Sequence, residues 1–261
     1  MTTLAGFLFA MFVGASVLSE DVSAPKDDAS QAEVDEILTR LQKRSDGLKD
    51  ILCKVKYVEE DKINLSTNEK HGRLMFLMAD PNPNWRVDFA KTIMDGQQGK
   101  REWYMFDGRW IYEAKERTRQ VIKREFARPG EKVDFFDMET TPLPLPFGQK
   151  KEQILEHFEV SIKPPAEGDP KDTDHLVCIP KPTSQLAEKY EKFELFVQRD
   201  VDLPGRIVIT KNKGLEVLSA DFPDLSPQSL NTGVKPSEFS ELKEWDGYEL
   251  IVEYFEGSAP E

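Results

Sequence analysis

Apolar positions recur every three to four residues over the stretch 30–46, where Val34, Ile37, Leu38 and Leu41 fall at i, i+3, i+4 and i+7 and form one stripe. Ser30 and Glu33 have the spacing of a capping box, so the helix is predicted to start at Ser30 and to end near Gly47. From residue 51 the period changes to two. Cys53, Val55 and Tyr57 alternate with Lys54, Lys56 and Val58, and strand-length runs follow over 72–78, 85–89, 101–106, 109–113 and 120–124. Asp107-Gly108, between WYMF and RWIY, is the strongest hairpin signal. A helical and proline-rich interlude over 132–157 holds Pro142, Pro144 and Pro146 and a helix at 150–157. Strands then return over 159–163, 175–179, 190–198, 206–210, 215–221 and 248–254, with Lys211-Asn212-Lys213-Gly214 as a hairpin turn.

The pattern specifies a mainly β fold of the α+β class. A single antiparallel sheet of about eleven strands cannot stay flat and curls into a barrel or half-barrel. If it is open, the helix 30–46 and the insert 132–157 are the segments that can cover its concave apolar face. Helices laid on a curved apolar sheet leave either a tight core or a cavity able to admit an acyl chain.

The first residues change how the composition is read. LAGFLFAMFVGASVL, residues 4–18, carries no charge and is followed by Glu20 and Asp21. It is short for a membrane span, which takes about 20 residues, and fits the apolar region of an export signal. Cleavage is expected between 15 and 24, with an uncleaved membrane anchor as the alternative. Residues 25–29 then read as a linker, 30–256 as one domain and 257–261 as a tail. The 261-residue chain has 35 Lys and Arg against 48 Asp and Glu, a net charge of −13, and 26 aromatic residues (16 Phe, 4 Trp and 6 Tyr). So many large side chains argue for a real core. The acidic balance argues against nucleic acid as a partner, because phosphate neutralisation needs clustered Lys and Arg.

Candidate chemistry is sparse. His71, His157 and His175 are far apart and lack metal-ligand spacing, and no nucleophile elbow, Walker loop or dinucleotide turn occurs. The acidic runs 169–174 and 238–246 lack calcium-loop spacing and read as solvated loops. Cys178 lies in the apolar run HLVCI, which suits a buried inert thiol. Cys53 and Cys178 are open to two readings, one disulfide or two free thiols. No catalytic residue, metal or cofactor is expected.

Seven motifs, in order, resemble the LolA-type outer-membrane lipoprotein carriers. The hairpin and next strand from Asp107-Gly108 through Trp110, Tyr112 and Gln120-Val121 look like that family's Asp-Gly hairpin and aromatic strand. Gly72-Arg73-Leu74 through Asn84-Trp85-Arg86-Val87 resembles the pair of strands before it, and Thr141-Pro142-Leu143 the insert. Ile179-Pro180-Lys181-Pro182, Asp202-Leu203-Pro204-Gly205-Arg206-Ile207, Ala220-Asp221-Phe222 and Pro236-Ser237-Glu238-Phe239 continue the likeness, so that it spans about residues 32–239. The resemblance implies an open half-barrel covered by helices around an apolar cavity. It further implies a periplasmic, monomeric carrier that takes an acylated lipoprotein or lipid from a membrane-complex donor to an outer-membrane acceptor. Each CH₂ removed from water is worth about 0.8 kcal/mol, so one C16 chain gains on the order of 10 kcal/mol before costs. Two departures stand out: Ala79-Asp80 precede Pro81 where carriers place an Arg, and 164–174 and 224–236 are extra loops. RseB-like relatives imply an alternative, a sensor or adaptor that uses the same fold to bind protein, and an envelope-assembly protein with a filled core and no ligand is the other reading.

The cavity and lid candidates are Leu38 and Leu41 on the helix, Leu74, Phe76, Trp85, Val87, Phe89, Trp103 and Trp110 on strands, and Leu143, Leu145 and Phe147 in the insert. Trp85, Val87 and Phe89 share one strand face opposite Arg86 and Asp88, so that face is buried; it either lines a cavity or fills a core. Arg86 is expected to form a structural ion pair on the outer face.

Overall fold

The computed structural model describes residues 28–133, 147–148 and 150–254. The expected export signal, most of the linker, the tail, and Leu143 and Leu145 lie outside those residues. α1 (Asp28–Asp46) is followed by β1 (Asp50–Asp61), β2 (Ser66–Leu77), β3 (Asn84–Met94), the two-residue β4 (Gln97–Gln98), β5 (Glu102–Phe106), β6 (Trp110–Lys115) and β7 (Gln120–Glu125). α2 (Lys151–His157) then leads into β8 (Phe158–Lys163), β9 (Thr173–Pro180), β10 (Tyr190–Gln198), β11 (Leu203–Lys211), β12 (Glu216–Asp221) and β13 (Glu249–Glu253). Ser30 sits inside α1 and not at its cap, because the helix begins two residues earlier, at Asp28.

Among the described residues, thirteen strands form one curved, unclosed sheet in the order β13-β7-β6-β5-β3-β2-β1-β12-β11-β10-β9-β8, with β4 beside β3. The meanders before and after the insert meet where β1 pairs antiparallel with β12. The fold is the expected half-barrel, with two more strands than the periodicity suggested. One pairing departs from expectation: β13 runs parallel to β7 at the sheet edge. The Asp107 carboxylate closes the predicted hairpin by accepting from the Arg109 and Trp110 N–H groups at 2.9 and 2.7 Å, and Gly108 takes the positive φ. A bulge between His71 and Gly72 bends β2 against β3. A Cβ at Gly72 would lie 2.1 Å from the Asp88 carbonyl oxygen, so the strands can approach there only over glycine.

Two apolar clusters use the two faces of the sheet. The larger lies on the inner face, under α1 and α2, and runs from Val34, Leu38 and Leu41 across Ile51, Leu74, Trp85 and Phe106 to Leu176, Ile207 and Phe222. α1 packs against α2, β8 and β11. Arg40 on α1 ties this packing down by donating to Asp174 at 2.6 Å and Asp202 at 3.1 Å.

The smaller cluster lies on the opposite, outer face. Met75, Trp103, Met105, Tyr112, Ala114 and Val121 are covered there by Phe239 and Trp245, with Val234, Leu242 and Tyr248 packed alongside. Residues 231–248 therefore form a strap across the outside of the sheet before the chain enters β13. Trp245 stacks on Tyr112 with centroids 6.0 Å apart. At the start of the strap, the buried Asp50 carboxylate accepts from the Thr232 N–H and hydroxyl, both at 2.7 Å, and from the Gly233 N–H at 3.0 Å. Arg86 pairs with Asp88 at 2.5 and 2.7 Å on the outer face, as expected, and also donates to the Glu238 carbonyl of the strap at 3.1 Å.

Candidate functional site

The residues expected to line a cavity divide between these faces. Leu74, Phe76, Trp85, Val87 and Phe89 come together on the inner face, and Leu38 and Leu41 of α1 belong to the same buried cluster. The alternation places them there: Trp85 pairs with Phe106 and Phe76, Val87 with Tyr104 and Leu74, and Phe89 with Glu102 and Gly72. Trp103 and Trp110 do not join them. Both sit on the outer face, with Trp103 edge-on to Tyr248 at 6.5 Å and Trp110 edge-on to Tyr254 at 5.5 Å. The reason is register, since the neighbours Tyr104 and Phe106 take the inner positions of β5. The inner residues that are not among the sequence candidates include Tyr57, Tyr104, Phe106, Ile111 and Phe222. The signal lies in the pairing of β3 with β5, where Trp85 opposes Phe106 and Val87 opposes Tyr104; the Asp107-Gly108 hairpin then carries the inner face from Phe106 to Ile111.

Phe147 is the described part of the proline-rich insert that reaches this face. It is 3% exposed, and its ring lies 6.0 Å from Phe76 and 5.0 Å from Phe222, tilted against both. Gly148 follows with φ +81°, and the position of its missing Cβ is 3.6 Å from both the Phe76 ring and the Met78 sulfur. The chain at Phe147-Gly148 therefore lies against the end of β2 and puts the Phe147 ring into the inner cluster.

At the other end of the inner face the lining becomes polar. Lys70 is buried, pairs with Glu102 at 2.8 Å, donates to the Tyr104 hydroxyl at 3.2 Å, and has its ammonium 5.2–5.9 Å from the rings of Tyr57, Phe89 and Tyr104. Ion pairing and cation–π contact compensate its desolvation. Burial, followed by the charge of Glu59, drives the Tyr57 hydroxyl far above its ordinary range, and burial with Glu102 does the same to Tyr104. Beyond this collar an open pocket of about 340 Å³ is walled by Glu59, Glu60, Asp61, Glu216 and Lys211, and it reaches Leu218 of the inner cluster.

Both cysteines are free and buried. Following the register from Cys178 through Phe193, Ile209 and Leu218 arrives at Glu59 of β1. That residue is ~20 Å along the strand from Cys53, so no disulfide can form between them. Burial pushes both thiols up to about 12, which makes them poor nucleophiles at neutral pH. Among the described residues no group of three His, Cys, Asp or Glu side chains could hold a metal ion, and no helix is long and apolar enough to cross a membrane. The inner face is an aromatic and apolar cluster buried under α1 and α2.

No protein-family model matches the chain, and no curated protein matches it. Among solved structures, the chain is similar to an uncharacterized conserved protein from Thermus thermophilus, at 13% identity over 84% of this chain and 99% of that one, with a TM-score of 0.42. It is similar to MucB at 18% identity and a TM-score of 0.42, covering 84% of this chain and 66% of MucB. A LolA superfamily protein from Nitrosomonas europaea matches at 13% identity and a TM-score of 0.35, over 79% of this chain and 97% of that one.

Proposed function

We propose that this is an exported binding protein that shields the acyl chain of a lipoprotein, or another apolar ligand, against the inner face of the half-barrel. The observation that carries the reading is Phe147, whose ring, from the described part of the insert, lies in the inner cluster against Phe76 and Phe222. Displacing it would expose Phe76 and Phe222 to a ligand without disturbing the strand ladder. On this reading the protein acts by burial and not by catalysis, and the apolar stretch 4–18 directs it to the periplasm or anchors it there. Hand-off would follow when a membrane donor or an outer-membrane acceptor shifts the balance between the plugged and open states.

A second reading, an RseB-like adaptor, is favoured by one feature: the inner side chains already pack closely on one another, which suits a filled core with protein binding elsewhere. Uptake of a fluorescent fatty acid separates the two. Carrier function predicts saturable binding to the wild type and tighter binding to Phe147→Ala, whose plug is gone, with acylated material found by mass spectrometry in organic extracts of protein from its native envelope. No uptake by either form and an empty extract would sink the carrier reading in favour of the adaptor.

A further inference from the structure

At the end of the sheet beyond the Lys70 collar, three hairpin tips stand side by side. The β1–β2 tip abuts the β11–β12 tip where Asp61 pairs with Glu216, and the β3–β4 turn abuts β2 where Met94 pairs with Asn68. Large apolar side chains on these tips face solvent: Leu65 is 89% exposed, Ile63 63%, Met94 59% and Leu215 41%. They are held out by stiff turns. The Asp61 carboxylate accepts from the Ile63 and Asn64 N–H groups at 2.8 and 2.9 Å. The Lys62 N–H reaches the Leu215 carbonyl at 2.8 Å, and Lys62 Nζ reaches the Gly214 carbonyl at 2.9 Å.

Leu65 adds a second observation. Its φ is +52°, a left-handed conformation that suits Gly or Asn and costs a leucine energy. A leucine strained in this way and almost wholly exposed gains nothing from the fold, which points to a contact outside the molecule. The charge pattern says what kind. The outermost residues of the β1–β2 and β11–β12 tips, 62–65 and 211–215, carry Lys62, Lys211 and Lys213 and no carboxylate of their own; Glu59, Glu60, Asp61 and Glu216 are set back along the strands, Glu191 accepts from the Gly214 N–H at 3.1 Å, and Asp95 lies on the third tip. Separate apolar tips flanked by lysines, in a protein of net charge −13, match the acyl–headgroup boundary of a phospholipid surface.

We infer that the β1–β2 and β11–β12 tips insert shallowly into a phospholipid surface through Ile63, Leu65 and Leu215. This docks the open pocket end of the half-barrel on the bilayer. The inference goes beyond the binding reading and is separable from it.

The test uses the full chain with a polarity-sensitive fluorophore on Leu65→Cys or, as control, on Ala79→Cys, an exposed position at the opposite end of the sheet. Cys53 and Cys178, both buried, stay unlabelled. Vesicles of phosphatidylethanolamine and phosphatidylglycerol carry a shallow spin-label quencher. Because residues 4–18 are themselves apolar, the readout is local depth and not binding alone. Quenching and a blue shift at 65 but not at 79 are expected, and Ile63→Asn with Leu215→Asn should weaken the vesicle-dependent signal by about ten-fold. An unquenched probe at 65, whether or not the chain sediments with vesicles, overturns the inference, as does a shift that requires an added protein in place of lipid. Acyl-chain uptake without tip insertion would remove this inference and leave the carrier reading standing. Insertion without uptake would do the reverse.

Discussion

Replacing Asp50 should loosen the C-terminal strap before it unfolds the sheet. Its carboxylate, almost wholly buried, receives three hydrogen bonds from Thr232 and Gly233, and the neighbouring backbone adds an Asn231 N–H to the Asp50 carbonyl at 2.9 Å. A hydrogen bond to a charged group is worth about 1.5–3 kcal/mol net. The three share one acceptor group, and water can reach the loop once it opens, so Asp50→Ala is expected to cost about 2–4 kcal/mol in urea denaturation. Asp50→Asn keeps one acceptor oxygen and should cost about half as much. Hydrogen exchange should locate the damage, with the amides of 231–248 and β13 losing protection ahead of β1 and β2.

The pH dependence has a definite sign. Burial alone would raise the Asp50 pKa, but the Thr232 hydroxyl and the N–H groups of Gly233, Thr232 and Val234 outweigh it and hold the group below its ordinary 3.8. The folded state therefore binds the proton more weakly than the unfolded chain. The Asp50 contribution is complete above the unfolded value and is lost as pH falls through the lowered folded value. The stability gap between wild type and Asp50→Asn should be constant from about pH 7 to 5 and shrink below about pH 4. A gap that persists unchanged at about pH 2.5, or an Asp50→Ala penalty under about 1 kcal/mol, would refute the role assigned to the carboxylate.

Two further outcomes follow from the same geometry. Gly72→Ala should destabilise by about 2 kcal/mol or more, read by urea denaturation, because the new methyl would meet the Asp88 carbonyl at 2.1 Å and backbone has nowhere to yield. Phe76→Ala and Trp103→Ala should each cost about 3–5 kcal/mol, yet only the first should alter fatty-acid uptake, since Trp103 lies on the strap side; equal effects on uptake would contradict the division of the two faces.

Most of the ladder was legible because one-sided strands write their burial into the sequence. The alternation of Cys53, Val55 and Tyr57 against lysines placed β1 within two residues of its observed end, and the i, i+3, i+4 spacing of Val34, Ile37 and Leu38 gave α1. Alternation fails where both faces are covered. In β5 the run WYMF is buried throughout, so period two cannot say which of Trp103 and Tyr104 faces inward; Tyr104 does, and Trp103 joins the outer cluster. The continuous apolar runs LMFL of β2 and WYMF of β5 were nonetheless a signal, for a strand without a polar face needs two covers. The second cover was hidden because it is a strap with no period of its own. Its anchors, Phe239 and Trp245, are isolated aromatics among short 3₁₀ turns, and the parallel pairing of β13 follows from the direction in which that strap crosses the sheet.

The strap also bears on how a half-barrel can open at all. A sheet whose stability came from its inner face alone would lose its core whenever a ligand displaced Phe147 or moved α1. Here strands β2, β3, β5, β6 and β7 are also held from outside, by Arg86 bonded to the Glu238 carbonyl, by Trp245 on Tyr112 and by the Asp50 clasp. On the binding reading, the outer cluster is what lets the inner one be rearranged: rigidity is placed on the face that never meets the ligand, so the apolar face that does can change its contents while the strand register is kept.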